Sequence, residues 1–513
     1  DLSWGLGSGG GGGQGQTKFV LTTQWVLALA MLTLLPGVGG LVVPLRVGVV
    51  GPWNCDPLFA KALPEAAAKL AVDRINREAE GHRVLEYTVL PAACQTSKAL
   101  ADFAEFEERA SVFLGPVNPG YCEAASLLGK NWDKGVFSWA CANSDLNDAG
   151  RYPTFSRVLP SPVRVLFNVL KFFRWAHVGV VSSNEDIWVD TANKVANALR
   201  SRGLPVGIIT NMGFTDQDLR DSNSVRVIIM CMHSVLIGGE EQTLLLHKAQ
   251  EMGLTDGRYV FVPYDTLLYS LPYRNTSHPV LRADSKLREA YNAVLTITVQ
   301  SEERSFQEAF EQAKDDGELL TPQGAEQVSP LFGTIYNGVY LIAKAMGSPG
   351  RSGGRPRDTR NLDFQGFNQR IRTDAQGNGL SDYVVLDADW SGQQLVPTYT
   401  VDPGDNLLVP TGNPIRFPGG APPQPDPNCW FDPNNLCTGG EASLRSGYFL
   451  RLIITTIIIT IIIITIIIVI TINNSNNNNN NPGICYSALL RLRDVSKRFT
   501  GYTVKCNDCI FCG

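Results

Sequence analysis

Histidine is scarce in this chain. Five occur in 513 residues, at His82, His177, His233, His247 and His278, and their spacing matches no metal-ligand pattern. A zinc centre needs four convergent N or S donors, so none is expected, and no cofactor is expected either. A surplus of one charge is also missing. The 44 Lys and Arg stand against 49 Asp and Glu, a formal net charge of −5, which gives no electrostatic footprint for nucleic acid. Catalytic patterns fail on context. Gly5, Gly7 and Gly10 satisfy G-x-G-x-x-G, but no strand precedes them. Gly350 to Gly354 satisfies G-x-S-x-G inside a polar loop that no strand feeds. As it stands the chain reads as non-enzymatic.

What is present is order of a particular kind. Trp25–Leu35 is a short apolar core behind Lys18, followed by Pro36 and small residues. It is shorter than the roughly 20 residues of a membrane span and reads, within a Gly-rich leader over 1–40, as a secretory signal. Strand-like and helix-like segments then alternate. Leu45–Val50, Val84–Leu90, Ser111–Leu114 and Val136–Ala140 are short apolar runs, separated by helical periods at Pro64–Glu78, Ser97–Glu108 and Glu123–Trp132. The pattern breaks at Tyr152–Pro162 and resumes with a helix at Val163–Trp175 and a strand at His177–Ser182. A helix at Ile187–Arg200 and strands at Val206–Thr210, Arg226–Met230 and Tyr259–Val262 follow, with a further amphipathic helix at Pro330–Met346. Two successive βαβ halves predict an α/β fold of two lobes with a cleft between them, spanning 41–401. The stretch 402–440 is rich in proline, has no helical period, and reads as a stalk ending in a small knob, C-W-F-D-P-N-N-L-C.

A secreted domain allows its cysteines to pair. Cys55 and Cys94 follow neighbouring strands, as do Cys122 and Cys141, while Cys429 and Cys437 close the knob. The expected bridges are 55–94, 122–141 and 429–437, although sequence alone does not fix connectivity. Cys231, in the run VIIMC, is left as a buried thiol. Asn275-Thr276-Ser277 is a glycosylation acceptor in a polar segment. Ligands of open α/β sheets sit beyond the carboxyl ends of strands. That rule selects Asn118, Trp139, Ser182, Ser183, Asn184, Tyr264 and Asp265 as the cleft residues; the alternative is that they line a cleft that binds nothing.

Four segments carry a family resemblance: G-V-V-G-P-W-N-C-D-P-L-F-A-K-A-L-P at 48–64, F-L-G-P-V-N-P-G-Y-C-E-A-A at 113–125, F-S-W-A-C at 137–141, and the knob at 429–437. Together they resemble the extracellular domain of the retinal membrane guanylyl cyclases, from about Leu41 to Gly440. The resemblance implies a type I periplasmic-binding-protein fold, homodimerisation through the ectodomain and a single-pass type I membrane receptor with an extracellular N-terminal domain. In the family a membrane helix, a kinase-like domain and a cyclase domain making cyclic GMP from GTP follow. No segment after Gly440 looks able to supply that cyclase, so no catalytic residue is carried over. Two other readings stay open: a fragment of a full receptor cyclase, and a small-molecule-sensing ectodomain like those of amino-acid receptors. The extracellular ligand is unknown.

Past Gly440 the chain leaves the family pattern. Residues 452–472 are almost purely Ile and Thr, and 473–481 almost purely Asn. Codons for Ile, Val, Thr, Asn and Ser all lie within one base of ATT, so a read-through trinucleotide repeat accounts for the tract. At about 1.5 Å rise per residue an uncharged helix of that length still spans a bilayer of about 30 Å. The Asn-rich, Cys-containing tail at 473–513 is expected to be non-native, with Cys506, Cys509 and Cys512 as noise rather than a metal site.

Overall fold

Short strands, buried at the centre of the sheet and half-buried at one edge, build the framework. β1 (Leu45–Gly51), β2 (Leu85–Pro91), β3 (Val112–Leu114), β4 (Val136–Ser138) and β5 (Phe155–Arg157) form a parallel sheet in the order β2-β1-β3-β4-β5. The computed structural model describes residues 44–79, 84–212, 225–234, 237–346, 359–402, 404–405, 407–426, 429–432, 434 and 437. The expected signal peptide, the Gly/Arg loop at 347–357, the Ile/Thr tract and the Asn-rich tail lie outside them. Among the described residues, no helix is long and apolar enough to cross a membrane.

Parallel strands need helical crossovers that cover both faces of the sheet, which is why these strands read as continuous apolar runs. The helix Pro64–Glu78 starts with Pro at its first turn, where the missing N–H costs nothing, and buries Ala67, Leu70, Ala71 and Ile75. The helix Pro119–Asn131 begins earlier than periodicity predicts, because the Asn118 side chain accepts from Gly120 N at 2.7 Å and caps it. The interruption at Tyr152–Pro162 hides a strand. Phe155–Arg157 adds to the sheet beside β4, and three residues flanked by Pro153 and Pro160 are too few to show a period.

Lobe 2 repeats the plan. β6 (Val178–Ser182), β7 (Val206–Asn211), β8 (Val227–Cys231) and β9 (Val260–Pro263) pair in parallel in the order β7-β6-β8-β9. Next to it stands an antiparallel sheet that the sequence reading missed. It consists of β10 (Thr296–Val299), β13 (Tyr383–Ala388), β14 (Leu395–Asp402) and β15 (Leu407–Pro410), after a small hairpin of β11 (Asp363–Gln365) and β12 (Arg370–Arg372).

The chain passes between lobes three times: after β5, after β10 and before β13. The second passage returns the helix Leu331–Met346 to lobe 1, where it packs on Pro64–Glu78. Gly338 lets the same helix sit close on β3, since a Cβ there would stand 2.5 Å from Leu114 Cδ1. Arg74 and Arg77 both pair with Glu318, and Arg74 also donates to Tyr336 Oη at 3.3 Å.

The Pro-rich stretch read as a stalk does not stand free over its described residues. β15 continues the antiparallel sheet, and beyond it the chain lies against lobe 2. Trp175 Nε1 donates to Pro423 O at 3.2 Å, while Asp426 accepts from Ala176 N at 2.7 Å and faces His177 Nδ1 at 2.9 Å. The Cys429–Cys437 knob is anchored by Cys437 N to Gly203 O at 3.1 Å and by Phe431 on Phe167. These contacts are made by single side chains and carbonyls, which leave no periodicity to read.

Candidate functional site

The carboxyl ends of β1, β3 and β4 face those of β6, β8 and β9 across the cleft, and the cleft is shut. Asp56, in the loop after β1, is the centre of the closure. Its Oδ1 accepts from Leu58 N at 2.8 Å and caps a one-turn helix. Its Oδ2 accepts from Trp188 Nε1 of lobe 2 at 2.8 Å. His233, just past β8, places Nδ1 3.2 Å from the same Oδ2 and 3.3 Å from Glu241 Oε2. A second set closes the rim. Thr96 donates from its amide to Asp186 at 3.2 Å and from its hydroxyl to Asp190 at 2.6 Å. Between them Phe59 lies 6.2 Å from Trp139 and 6.1 Å from Trp188, an aromatic layer shared by both lobes.

The residues selected from strand ends are distributed around this closure. Asn118 donates to Thr96 Oγ1 at 2.9 Å and so supports the rim. Trp139 is in the aromatic layer. Ser182 and Ser183 are buried at the end of β6, whereas Asn184 is exposed. Tyr264 is buried at the end of β9. Asp265 is fully buried but committed within lobe 2: it accepts from Ser234 N at 2.6 Å, Ser234 Oγ at 2.7 Å and Tyr269 Oη at 3.0 Å. Burial pushes its carboxyl up to about 6, against the opposing pull of those donors and of His233. Asp56, Thr96, Trp188, Asp190 and His233 were not selected from the sequence. Asp56, Thr96 and His233 carried a signal, as polar residues shortly beyond strand ends.

Buried polar atoms without a hydrogen-bond partner occur in both lobes among the described residues; those of lobe 2 include Ser183 Oγ, Tyr264 Oη and both amide atoms of Gln242, and those of lobe 1 include Tyr121 Oη and Asn143 Oδ1. On the lobe 1 side Arg157 is buried and donates to Asn147 Oδ1 at 3.2 Å and to the carbonyls of Cys141 and Asn143. Burial lowers its guanidinium to about 10. Among the described residues, no group of three or more His, Cys, Asp or Glu side chains is arranged to hold a metal ion.

The disulfides frame the lobe 1 rim. Cys55 pairs with Cys94 at a Cα separation of 5.3 Å and Cys122 with Cys141 at 6.0 Å. An open groove of about 590 Å³ lies beside the first, lined by Asn54, Lys98 and Asp102 among others. Cys231 is a buried free thiol, and burial pushes its ionisation far up. Asn275 is exposed in a turn with φ of 50°, a position open to an attached glycan.

The receptor family ligand binding region matches residues 63–391. Over 413 residues the chain is 56% identical to retinal guanylyl cyclase 2 of Bos taurus, covering 77% of this chain and 37% of that protein. It is 52% identical over 435 residues to retinal guanylyl cyclase 2 of Mus musculus, covering 82% and 39%. With retinal guanylyl cyclase 1 of Rattus norvegicus it shares 40% over 448 residues, covering 83% and 40%. The chain thus spans about two fifths of the length of these relatives. A solute-binding protein of an ABC transporter from R. palustris, solved with 4-hydroxybenzoate, superposes with a TM-score of 0.51 at 13% identity, covering 70% of this chain and 97% of that one. At that identity the likeness concerns the fold alone.

Proposed function

The chain belongs to the family of receptor ligand-binding regions, as the ectodomain of a receptor guanylyl cyclase of the retinal type, and from that premise we propose that it is the extracellular sensing and dimerising part of a single-pass membrane receptor. Its two hinged lobes close on a small polar ligand. The observation that supports this is a set of buried, unpartnered polar atoms in lobe 2: Ser183 Oγ and Tyr264 Oη just past strand ends, and the Gln242 amide in the first turn of the 240–251 helix. Leaving such groups unpaired costs about 1–3 kcal/mol each, and a ligand entering the opened cleft relieves it. On this reading the guanylyl cyclase activity named for the relatives belongs to sequence beyond the matched region, since the match covers 37% of the Bos taurus protein.

The test is a thermal-shift and calorimetric screen of the purified chain against amino acids, other small zwitterions and organic acids. A saturable rise in melting temperature that is lost in Gln242→Leu is the expected outcome. A chain that stays silent across the panel while running as a dimer in light scattering would remove the sensing role and leave dimerisation.

A further inference from the structure

At the centre of the closure one carboxylate is reached by two groups from the other lobe. Asp56 belongs to lobe 1; Trp188 and His233 belong to lobe 2 and meet at its Oδ2. Trp188 is a fixed N–H donor in any protonation state. His233 is not. Its Nδ1 stands between Asp56 Oδ2 at 3.2 Å and Glu241 Oε2 at 3.3 Å, and it is aligned for a full hydrogen bond with neither. The Asp56 and His233 side chains are only 1% and 7% exposed, so water does little to screen them.

Every element packed around the ring contributes negative charge or none. Asp56 comes from the cap of the 57–60 helix, Glu241 from the first turn of the 240–251 helix, and Asp265 from the end of β9. Trp188, from the 186–200 helix, is neutral. A neutral imidazole offers these carboxylates a dipole, whereas an imidazolium offers a full charge at low local dielectric.

We propose that the Asp56–His233–Glu241 contact is a proton-operated latch between the two lobes, engaged while His233 is an imidazolium and released when it is neutral. Opening the cleft separates His233 from Asp56 and exposes both to water. The closed form therefore binds the proton more tightly than the open form, and closure takes up a proton. Burial alone pulls the His233 ring down, but Asp56 and then Glu241 and Asp265 outweigh it, and the balance lies above the ordinary histidine value. The sign follows: closure is fully supported below about pH 6.5 and weakens as pH rises through the closed-state value. The latch stands whether or not the cleft takes a ligand, since it involves only residues of this chain.

Backbone hydrogen exchange of the full chain, corrected for intrinsic rates, reads the latch directly. The reporting amides are those of residues 59–61, bonded around the Asp56 cap, and those of 188–191 in the helix that carries Trp188. Between pH 6.5 and 8.5 their protection is expected to fall by several-fold, while β3 and β8 change less than about twofold. Asp56→Asn keeps a capping oxygen and His233→Asn keeps an uncharged N–H donor near the Nδ1 position, and both are expected to show no pH step. A flat wild-type profile overturns the latch, as does a step that survives in Asp56→Asn. Should His233→Asn not fold, the wild type and Asp56→Asn decide the matter.

Discussion

Asp426→Ala offers a sharp test of whether the Pro-rich segment is part of lobe 2. The carboxylate accepts from Ala176 N at 2.7 Å and His177 N at 3.3 Å, and faces His177 Nδ1 at 2.9 Å. Burial works to raise this carboxyl, but the His177 ring and the two amides prevail and hold it below the ordinary aspartate value. Truncation orphans two backbone donors just before β6 and removes the ring's partner. At about 1–3 kcal/mol per unsatisfied group, discounted because the site is partly wet, the loss is about 3 kcal/mol. It falls on docking of the 411–437 segment rather than on the lobes, whose strands β6 and β8 keep their own pairing. A docking equilibrium weakened by about 3 kcal/mol opens about 100-fold more often. Native-state proteolysis, with cleavage slow against reclosing, reports that population. The expected result is a roughly 100-fold faster cut between 411 and 437, with the 178–263 fragment surviving intact. The wild type should loosen in the same way as pH falls through the depressed carboxyl value, since its contribution is present above the unfolded aspartate range and lost below it. A variant cleaved within about twofold of wild type would refute the docking argument.

Two other perturbations probe the rest of the frame. Glu318→Gln removes the shared partner of Arg74 and Arg77 beneath the Leu331–Met346 helix. Arg77 is exposed and adds little, so the loss should be about 1–2 kcal/mol in urea unfolding, and much less at 1 M salt if the pairs are screened. His278 is buried with Nε2 unpartnered, and burial holds it down to about 4, so the fold keeps it neutral while the unfolded chain takes up a proton. Stability should fall as pH drops from about 6.5 to 4, by about 3 kcal/mol, and His278→Leu should flatten that slope; an unchanged slope would discard the assignment.

How far the sequence reveals such features depends on what generates the signal. Parallel strands covered on both faces must be apolar throughout, so β1, β6, β8 and β9 were readable as runs, and the helices between them as periods. The antiparallel sheet was not. β14 carries Pro397 opposite a register shift at Val385 and Leu386, and a proline inside a strand normally argues against one. β15 is an edge strand with Leu407 and Val409 exposed, so its alternation has no buried face to define it. Its neighbourhood in sequence is proline-rich, and it passed for stalk.

The cleft shows a different limit. The strand-end rule selects Ser182, Ser183 and Tyr264, which lie at the ends of β6 and β9. That rule describes one lobe at a time. What fills a two-lobed cleft is set by the residues that the opposite lobe brings to it, and those pairs are far apart in the chain. Asp56 meets Trp188 across 132 positions, and Thr96 meets Asp190 across 94. Neither member of such a pair looks unusual alone: Asp56 is a helix cap and Trp188 a core aromatic, and each has that ordinary role as well. A closure contact is therefore built from residues already needed locally, which lets two lobes acquire a latch without spending a dedicated side chain. For the same reason a substitution at Asp56 disturbs a helix cap and the lobe contact together, and only a pH-dependent readout separates the two.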